Sequence, residues 1–481
     1  MAKRKRRAAA PTLEESKAEA VQKKKTKVVE PLKDDAEPIT LQIVSGSYDQ
    51  VLHGMTARIA GDSVEFADTF LFSAHNSAIR CVAISPASAP APGQTQKVFL
   101  ASGSTDERIN IYSLSAHEPQ QKTRGSAAAL TRASARPILE NRKNREVGTL
   151  LHHGATITGL HFATRGKLLS ASEDSTVAVA RTRDWGVLST VRVPRAKAQG
   201  RPSGDTAALG AAPTGVNGFA VHPSLKLMIS VSRGERCMRL WNLVTGKKAG
   251  VLSFGRELLQ EVGESRHTSG EGRRVAWGSA DGSDEFAVGF ERDVVVFGMD
   301  SVPKCRALGS ARTKVHQFCY VAVGDETSLL AISTEDGRIV FVSTREEHLA
   351  RTSGRLGSAR TVGQVGGREA GVTGRIKDFV AVHDNGVVHV VGAGSEGTVR
   401  VWRVAVEELV AAADEATGGE ARMLGRLLGR YETQNRITCL AAYRMLPRAQ
   451  GVAESSDDES DAEADEGQDE DEDEDEEEHQ E

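Results

Sequence analysis

The stretch LASGSTDERINIYSL, residues 100–114, decides how this chain is read. Apolar and small residues run over Leu100–Ser104, four polar residues with turn chemistry follow at Thr105–Arg108, and β-type residues resume over Ile109–Leu114. That is strand, tight turn, strand. The unit recurs as LLSASEDSTVAVART (168–182), MISVSRGERCMRLWNL (228–243), LAISTEDGRIVFVS (330–343) and VVGAGSEGTVRVWRV (390–404). A unit this small cannot bury its own faces, so copies must stack and share a core.

Working outward, several copies are preceded by a second apolar run that opens with His: AHNSAIRCVAIS (74–85) and HHGATITGLHFA (152–163). TGVNGFAVHPS (214–224) has the run without the leading His. Recognisable units fall at about 75–114, 147–183, 214–244, 273–299, 313–343 and 374–404, which makes six. Two pieces remain: LQIVSGSYDQVLHGMTA (41–57) resembles the second half of a unit and NRITCLAAY (435–443) the first half. Joined, they complete a seventh, and a ring closed this way has no open sheet edge.

The small-residue, Ser-x-Ser, turn-Asp and apolar-Trp features at this spacing resemble WD40 repeats. The resemblance implies an all-β, seven-bladed WD40 β-propeller closed by strands from both termini. Residues 39–446 are expected to form the propeller, and composition leads us to expect a disordered basic N-terminal segment (1–38) and a disordered acidic tail (447–481). In such blades a turn Asp hydrogen-bonds a His, and Ser or Thr and Trp extend the contact. By that pattern Asp106 pairs with His75 and Asp174 with His153, while Asp336 and Asp49 occupy the same slot. Trp241 and Trp402 fill the Trp slot; Tyr112, Phe297, Ala180, Val342 and Met55 stand there elsewhere, and Glu235, Glu291 and Glu396 replace the turn Asp. The expected role is structural, because a buried group without a partner costs about 1 to 3 kcal/mol. A Ser/His/Asp triple here is therefore not read as a hydrolase.

Charge is divided along the chain. Of 66 acidic residues, 19 lie in residues 451–481, which hold no Lys or Arg; residues 1–450 carry 61 basic against 47 acidic residues, about +14. A basic body favours phosphate backbones, and an unbroken acidic run stays solvated. Lys3, Arg4, Lys5, Arg6 and Arg7 read as a nuclear import signal or nucleic-acid arm, against a merely solvated terminus. The insertions at 86–97, 115–146, 192–213, 255–272 and 344–371 are expected to be surface loops. Arg142, Lys143 and Arg145 in one, and Arg195 and Lys197 in another, are candidates for contacts with RNA or acidic protein, weighed against solvated loops.

Catalytic and cofactor signatures are absent from the sequence. Gly392, Gly394 and Gly397 spell G-x-G-x-x-G, but TVRVW follows, a strand where a dinucleotide site needs a helix N-terminus. There is no Walker loop, H-E-x-x-H or clustered metal ligand set, so neither enzyme activity, cofactor, metal nor small-molecule substrate is expected. Cys81, Cys237, Cys305, Cys319 and Cys439 are scattered free thiols by spacing. With no 18-residue apolar run or signal peptide, a soluble intracellular protein with no membrane partner is expected.

A finer resemblance follows from the order VSGSYD, FSAHNSAIRCVAIS, ASGSTDERINIY, GTLLHHGATITGLHF, LLSASEDSTV, the pair Asp184-Trp185, AVHPSLKLMISVS and MRLWNLVTGKKAGVL. Over residues 41–253 the chain resembles the p21-activated-kinase-interacting-protein family of WD40 proteins, also called the maintenance-of-killer type; the likeness is weaker over 255–450. The resemblance implies a non-catalytic scaffold for nucleolar assembly of the large (60S) ribosomal subunit and pre-rRNA processing. Its partners would be pre-60S ribosomal particle proteins and pre-rRNA, with the protein monomeric within a larger complex in the nucleus and nucleolus. Some members imply a second role, binding and restraining a p21-activated kinase. A histone- or chromatin-binding propeller is a third reading that the acidic tail suits.

Overall fold

Short runs of alternating apolar residues, cut by polar turns, form strands that pair with their sequence neighbours as antiparallel sheets. The computed structural model describes residues 38–91, 94–119, 138–139, 141, 143–196, 214–264, 268–309, 313–324, 327–350, 356–415 and 422–447. The basic segment with Lys3–Arg7 and the acidic tail lie outside the described residues, as do Arg142 and Lys197.

The described strands make seven sheets, each ordered from an inner to an outer strand. Blade 1 is Ile79–Ile84, Lys97–Ser104, Ile109–Ser115 and Arg145–Leu150; blade 2 is Ile157–Thr164, Lys167–Ser172, Thr176–Arg181 and Val187–Arg192. Blade 3 is Val216–Val221, Leu227–Ser232, Cys237–Asn242 and Lys247–Ser253; blade 4 is Arg274–Ala280, Ser283–Gly289, Val294–Gly298 and Pro303–Arg306. Blade 5 is Val315–Ala322, Ser328–Thr334, Arg338–Ser343 and Arg360–Gly366; blade 6 is Ile376–Asp384, Val387–Gly394, Thr398–Ala405 and Arg426–Glu432.

Blade 7 joins the two ends of the propeller. The C-terminal strand Ile437–Arg444 is innermost and pairs with Ile39–Ser47, with Ile43 opposite both Ala442 and Met55. Val51–Ala60 and Ser63–Ser73 complete the sheet. The closure is thus one strand from the C-terminal side and three from the N-terminal side, where two matched halves were expected. Ser63–Ser73 is half-exposed along most of its length, so its sequence lacks the continuous apolar signature of a central strand.

Seven apolar cores lie between successive blades and close the ring. Ile111, Ile157 and Leu168 pack blade 1 on blade 2, Ile43, Val391 and Tyr431 pack blade 7 on blade 6, and Leu52, Leu100 and Leu114 pack blade 7 on blade 1. Each sheet buries both faces, and association follows from the apolar area removed from water.

Two insertions depart from the loop expectation. Residues 344–371 supply the outer strand of blade 5, Arg360–Gly366, and Gly357–Ser358 adds a short parallel strand beside Pro303–Arg306 of blade 4. Residues 255–272 contain helix α1, Arg256–Glu261, whose Leu259 is buried in the core between blades 3 and 4. A second helix, α2 (Val406–Asp414), seals the core between blades 5 and 6 with Leu409, Ala412 and Ala413.

Alternating strand direction gives the propeller two distinct faces. Turns between second and third strands share one face with the connections leading into the next inner strand; the other connections share the opposite face. Six of the seven second-to-third turns place one residue in the left-handed region, Gln50, Glu107, Ser175, Gly234, Gly337 and Gly397, with φ of 69°, 68°, 70°, 73°, 80° and 95°.

Candidate interaction surfaces

The turn carboxylates lie on the first face. In blade 1, His75 Nδ1 stands 3.1 Å from Asp106 Oδ2 and His75 Nε2 stands 2.8 Å from Ser102 Oγ. A carboxylate only accepts, so Nδ1–H donates to Asp106 and Nε2 accepts from the Ser102 hydroxyl. Burial lowers the His75 pKa and favours this neutral form. Burial also opposes ionisation of Asp106, but donation from the Arg108 and Asn76 amides and from His75 outweighs it and holds the carboxyl below its usual range.

Blade 2 repeats the arrangement with an added member. His153 Nδ1 donates to Asp174 Oδ2 at 3.1 Å, and Ser170 donates to His153 Nε2 at 2.8 Å while accepting from His152 Nε2 at 2.9 Å. Burial, then His153, push the pKa of His152 down to about 4. Ala180 occupies the Trp slot here, whereas in blade 3 Trp241 Nε1 donates to Ser230 at 2.9 Å with no His beside it. Among the described blades, then, His–Asp and Trp–Ser contacts occur separately. Trp402 is buried in the apolar core of blades 5 and 6, against Gly392, where an added Cβ would meet its ring at 2.8 Å.

In two of the three blades where Glu replaces the turn Asp, an Arg four residues on takes its charge. Glu235 pairs with Arg239 and Glu396 with Arg400, both arginines being buried. The sequence signal is Glu-x-x-x-Arg-x-Trp, at 235–241 and 396–402. Glu291 lies 3.2 Å from Lys314 and 3.4 Å from Arg273. Asp336 accepts from Thr334 and Arg338, with no His beside it.

Two inter-blade clusters have no short-range signal. Glu285, 2% exposed, receives Lys304 at 3.1 Å, the Tyr320 hydroxyl at 3.0 Å and the Thr344 hydroxyl at 2.6 Å, which ties blade 4 to blade 5. Asp68 of blade 7 accepts from His53 Nε2 at 2.7 Å and from the Tyr431 hydroxyl of blade 6.

The contact candidates fall on separate surfaces. Lys143 and Arg145 lie at the entry to the outer strand of blade 1, on the second face; Lys143 Nζ donates to Thr95 Oγ1 at 3.2 Å and Arg145 is exposed. Arg195 is exposed on the first face, just beyond Val193, whose amide bonds the Ser175 carbonyl at 2.8 Å. Arg145 also edges an apolar groove of about 520 Å³ between blades 7 and 1, lined by Leu52, Phe70, Phe72, Leu100, Tyr112 and Leu114. Among the described residues no cluster of three or more metal-ligating side chains occurs. No described helix is long and apolar enough to cross a membrane.

Seven four-stranded units around an axis, with turn carboxylates tied to the approaching inner strand, define a seven-bladed β-propeller with WD40 repeats. The WD domain, G-beta repeat family model matches residues 67–113 and 144–179. The first span begins within the outer strand of blade 7 and the second one residue ahead of that of blade 1, and each ends in the third strand of the next blade, so sequence repeat and structural blade are offset by one strand. The chain is 26% identical to Protein MAK11 of Saccharomyces cerevisiae over 407 residues, covering 78% of this chain and 80% of that protein. It is 23% identical to p21-activated protein kinase-interacting protein 1-like of Gallus gallus over 403 residues, covering 84% and 80%. Shk1 kinase-binding protein 15 of Schizosaccharomyces pombe matches at 23% over 362 residues, covering 75% and 77%. The family resemblance read from the sequence is borne out, and these matches extend well beyond residues 41–253.

Proposed function

We propose that this protein is a non-catalytic scaffold in nucleolar assembly of the large (60S) ribosomal subunit and pre-rRNA processing. The carrying observation is the motif order over residues 41–253, shared with a family to which that role attaches. The basic body of the chain and an exposed cation on each face, Arg145 and Arg195, support the reading, since cations on opposite faces can meet RNA phosphates and acidic protein separately. Its place is the nucleus and nucleolus, beside pre-60S particle proteins and pre-rRNA.

A sucrose-gradient profile of cell extract tests this. Co-migration with large-subunit precursors and enrichment of pre-rRNA is the expected result. Migration only at the top of the gradient without pre-rRNA overturns it.

The names of two relatives favour a second reading, a binding regulator of a p21-activated protein kinase. That reading expects a kinase to co-purify with the protein and to stay bound after ribonuclease treatment.

A further inference from the structure

Each inner strand carries one residue at the same register close to the first face. In blades 1, 2, 3, 5, 6 and 7 it sits in a bulge, between Ile79 and Cys81, Ile157 and Gly159, Val216 and Gly218, Val315 and Gln317, Ile376 and Asp378, and Ile437 and Cys439. The bulged residues are Arg80, Thr158, Asn217, His316, Lys377 and Thr438. In blade 4, Arg274 opens the inner strand at the corresponding point. The residues before the six bulges are buried in the inter-blade cores, while Arg80 and Arg274 are exposed and the other ring members half-buried. A bulge re-aims a side chain in this way, here towards the propeller axis.

The inner strands meet directly at this level. Thr438 of blade 7 donates to the Ile79 carbonyl of blade 1 at 2.6 Å, and Asn217 of blade 3 donates to the Gly272 carbonyl ahead of blade 4 at 2.9 Å. Asp378 of blade 6 accepts from Gln317 of blade 5 at 3.1 Å and from the Leu440 amide of blade 7 at 2.9 Å. Lys377 has its pKa lowered by burial first, then by Arg274 of blade 4, Arg375 and Arg80 of blade 1. Blade 6 borders neither blade 4 nor blade 1, so these cations influence one another only because they converge on the axis.

One carboxylate, Asp378, lies within electrostatic reach of Arg274 and Lys377 and offsets this convergence only in part. Arg80, Arg274 and Lys377 make no ion pair or hydrogen bond among the described residues, in contrast to the paired Arg239 and Arg400. The adjoining carboxylate, Asp378, is already committed to the Phe379 and Leu440 amides and Gln317. Two ring atoms, His316 Nε2 and Thr158 Oγ1, are buried without a partner. Burial, followed by Lys377, Arg375, Lys314 and Arg274, brings the His316 pKa down to about 4, so it is a neutral hydrogen-bonding group at pH 7. Three cations without ion pairs, beside unpartnered polar atoms, are complementary to an anion rich in acceptor oxygens. The touching inner strands limit the occupant to a compact one.

We propose that this ring is a binding site for a compact, multiply charged phosphate ligand, seated on the axis by Arg80, Arg274 and Lys377 and held without chemical change. The proposal is independent of the assembly reading.

Titration calorimetry of the full chain, in buffer free of phosphate and sulfate, tests it with inositol hexakisphosphate and pyrophosphate as probes. The expected result is one site per chain, weakened at least about tenfold, roughly 1.4 kcal/mol, by Arg274→Met or Lys377→Met. Lys247→Ala, at an exposed position on the outer strand of blade 3, should leave it unchanged. Both ring variants should melt at or above the parent temperature without probe, because like-charge repulsion is relieved, yet lose the stabilisation that the probe gives the parent. No binding of either probe overturns the proposal, as does multi-site binding that survives in the ring variants. A synthetic acidic peptide of residues 454–481, or a short RNA, that needs Lys377 while both phosphates fail would assign the ring to that occupant and equally overturn it.

Discussion

The amide of Arg436 donates a 3.1 Å hydrogen bond to the carboxylate of Asp49, across 387 residues of chain. It is the counterpart of the Asn76 amide on Asp106 and the Gly154 amide on Asp174 in blades 1 and 2. The turn contact used within a continuous blade therefore also fastens the seam, and the Arg436 guanidinium lies over the Tyr48 ring at 5.4 Å. Removing residues 435–481 strips the inner strand from blade 7 and opens two inter-blade cores. The expected outcome is loss of cooperative thermal unfolding, followed by circular dichroism; a sharp transition near the parent temperature would show that the seam does not close the fold.

The His–Asp–Ser contacts act as units. His75→Ala leaves Ser102 and Asp106 short of a buried partner and should cost about 1 to 3 kcal/mol. Because both changes break the same contact, His75→Ala with Asp106→Ala should cost less than the sum of the single losses, read from denaturant unfolding. Strict additivity would sever the functional link between them.

Buried histidines make the propeller acid-sensitive. Burial, the leading cause for each, pushes His152, His316 and His389 from 6.5 to about 4, so between these values the unfolded chain binds more protons and stability falls with pH. Asp293 opposes this, since burial raises its carboxyl to about 6 and its neutral form favours the fold on acidification. Asp106 and Asp336, held below 3.8, lose their contribution only under more acidic conditions. His389 is buried, with Nδ1 lacking a partner. His389→Leu should therefore flatten the decline in melting temperature between pH 6.5 and 4; an unchanged slope would remove His389 from the account.

The Glu–Arg pairs of blades 3 and 6 should tolerate joint replacement better than single loss. Arg239→Met leaves Glu235 partly buried without its cation, costing about 1 to 3 kcal/mol, and Glu235→Met in the same chain should restore part of that. Equal destabilisation of single and double variants in urea would contradict the pairing.

Lys143 and Arg195 sit on opposite faces and should act separately on RNA. Each Ala variant should weaken RNA binding across sequences and, if it removes one phosphate contact, reduce the slope of log affinity against log salt by about 1. The effects should add, because the residues share no partner. Fluorescence anisotropy over a salt series checks this; a double variant no weaker than either single one would place both on one RNA contact.

What was legible in the sequence is what short-range chemistry governs. The strand–turn–strand units announce themselves through alternation around a turn such as Thr105–Arg108, whereas the pairing of His75 with Asp106 and of His153 with Asp174, 31 and 21 residues apart, came from the resemblance to WD40 repeats. Outer strands such as Val187–Arg192 and Arg360–Gly366 were not legible: the first is mostly exposed and the second lies in an insertion, so neither had to follow the repeated apolar pattern.

The sequence by itself determined the repeated blade unit, its turn carboxylates and the need to join both ends, since these rest on residues a few positions apart or on leftover halves of a repeat. Only the tertiary structure decided that the seam divides one strand against three, that Glu285 holds Tyr320, and that Arg80, Arg274 and Lys377 face one another across the axis. The physical reason is ring closure: it brings groups from distant blades within electrostatic and hydrogen-bonding range, a proximity no local pattern encodes.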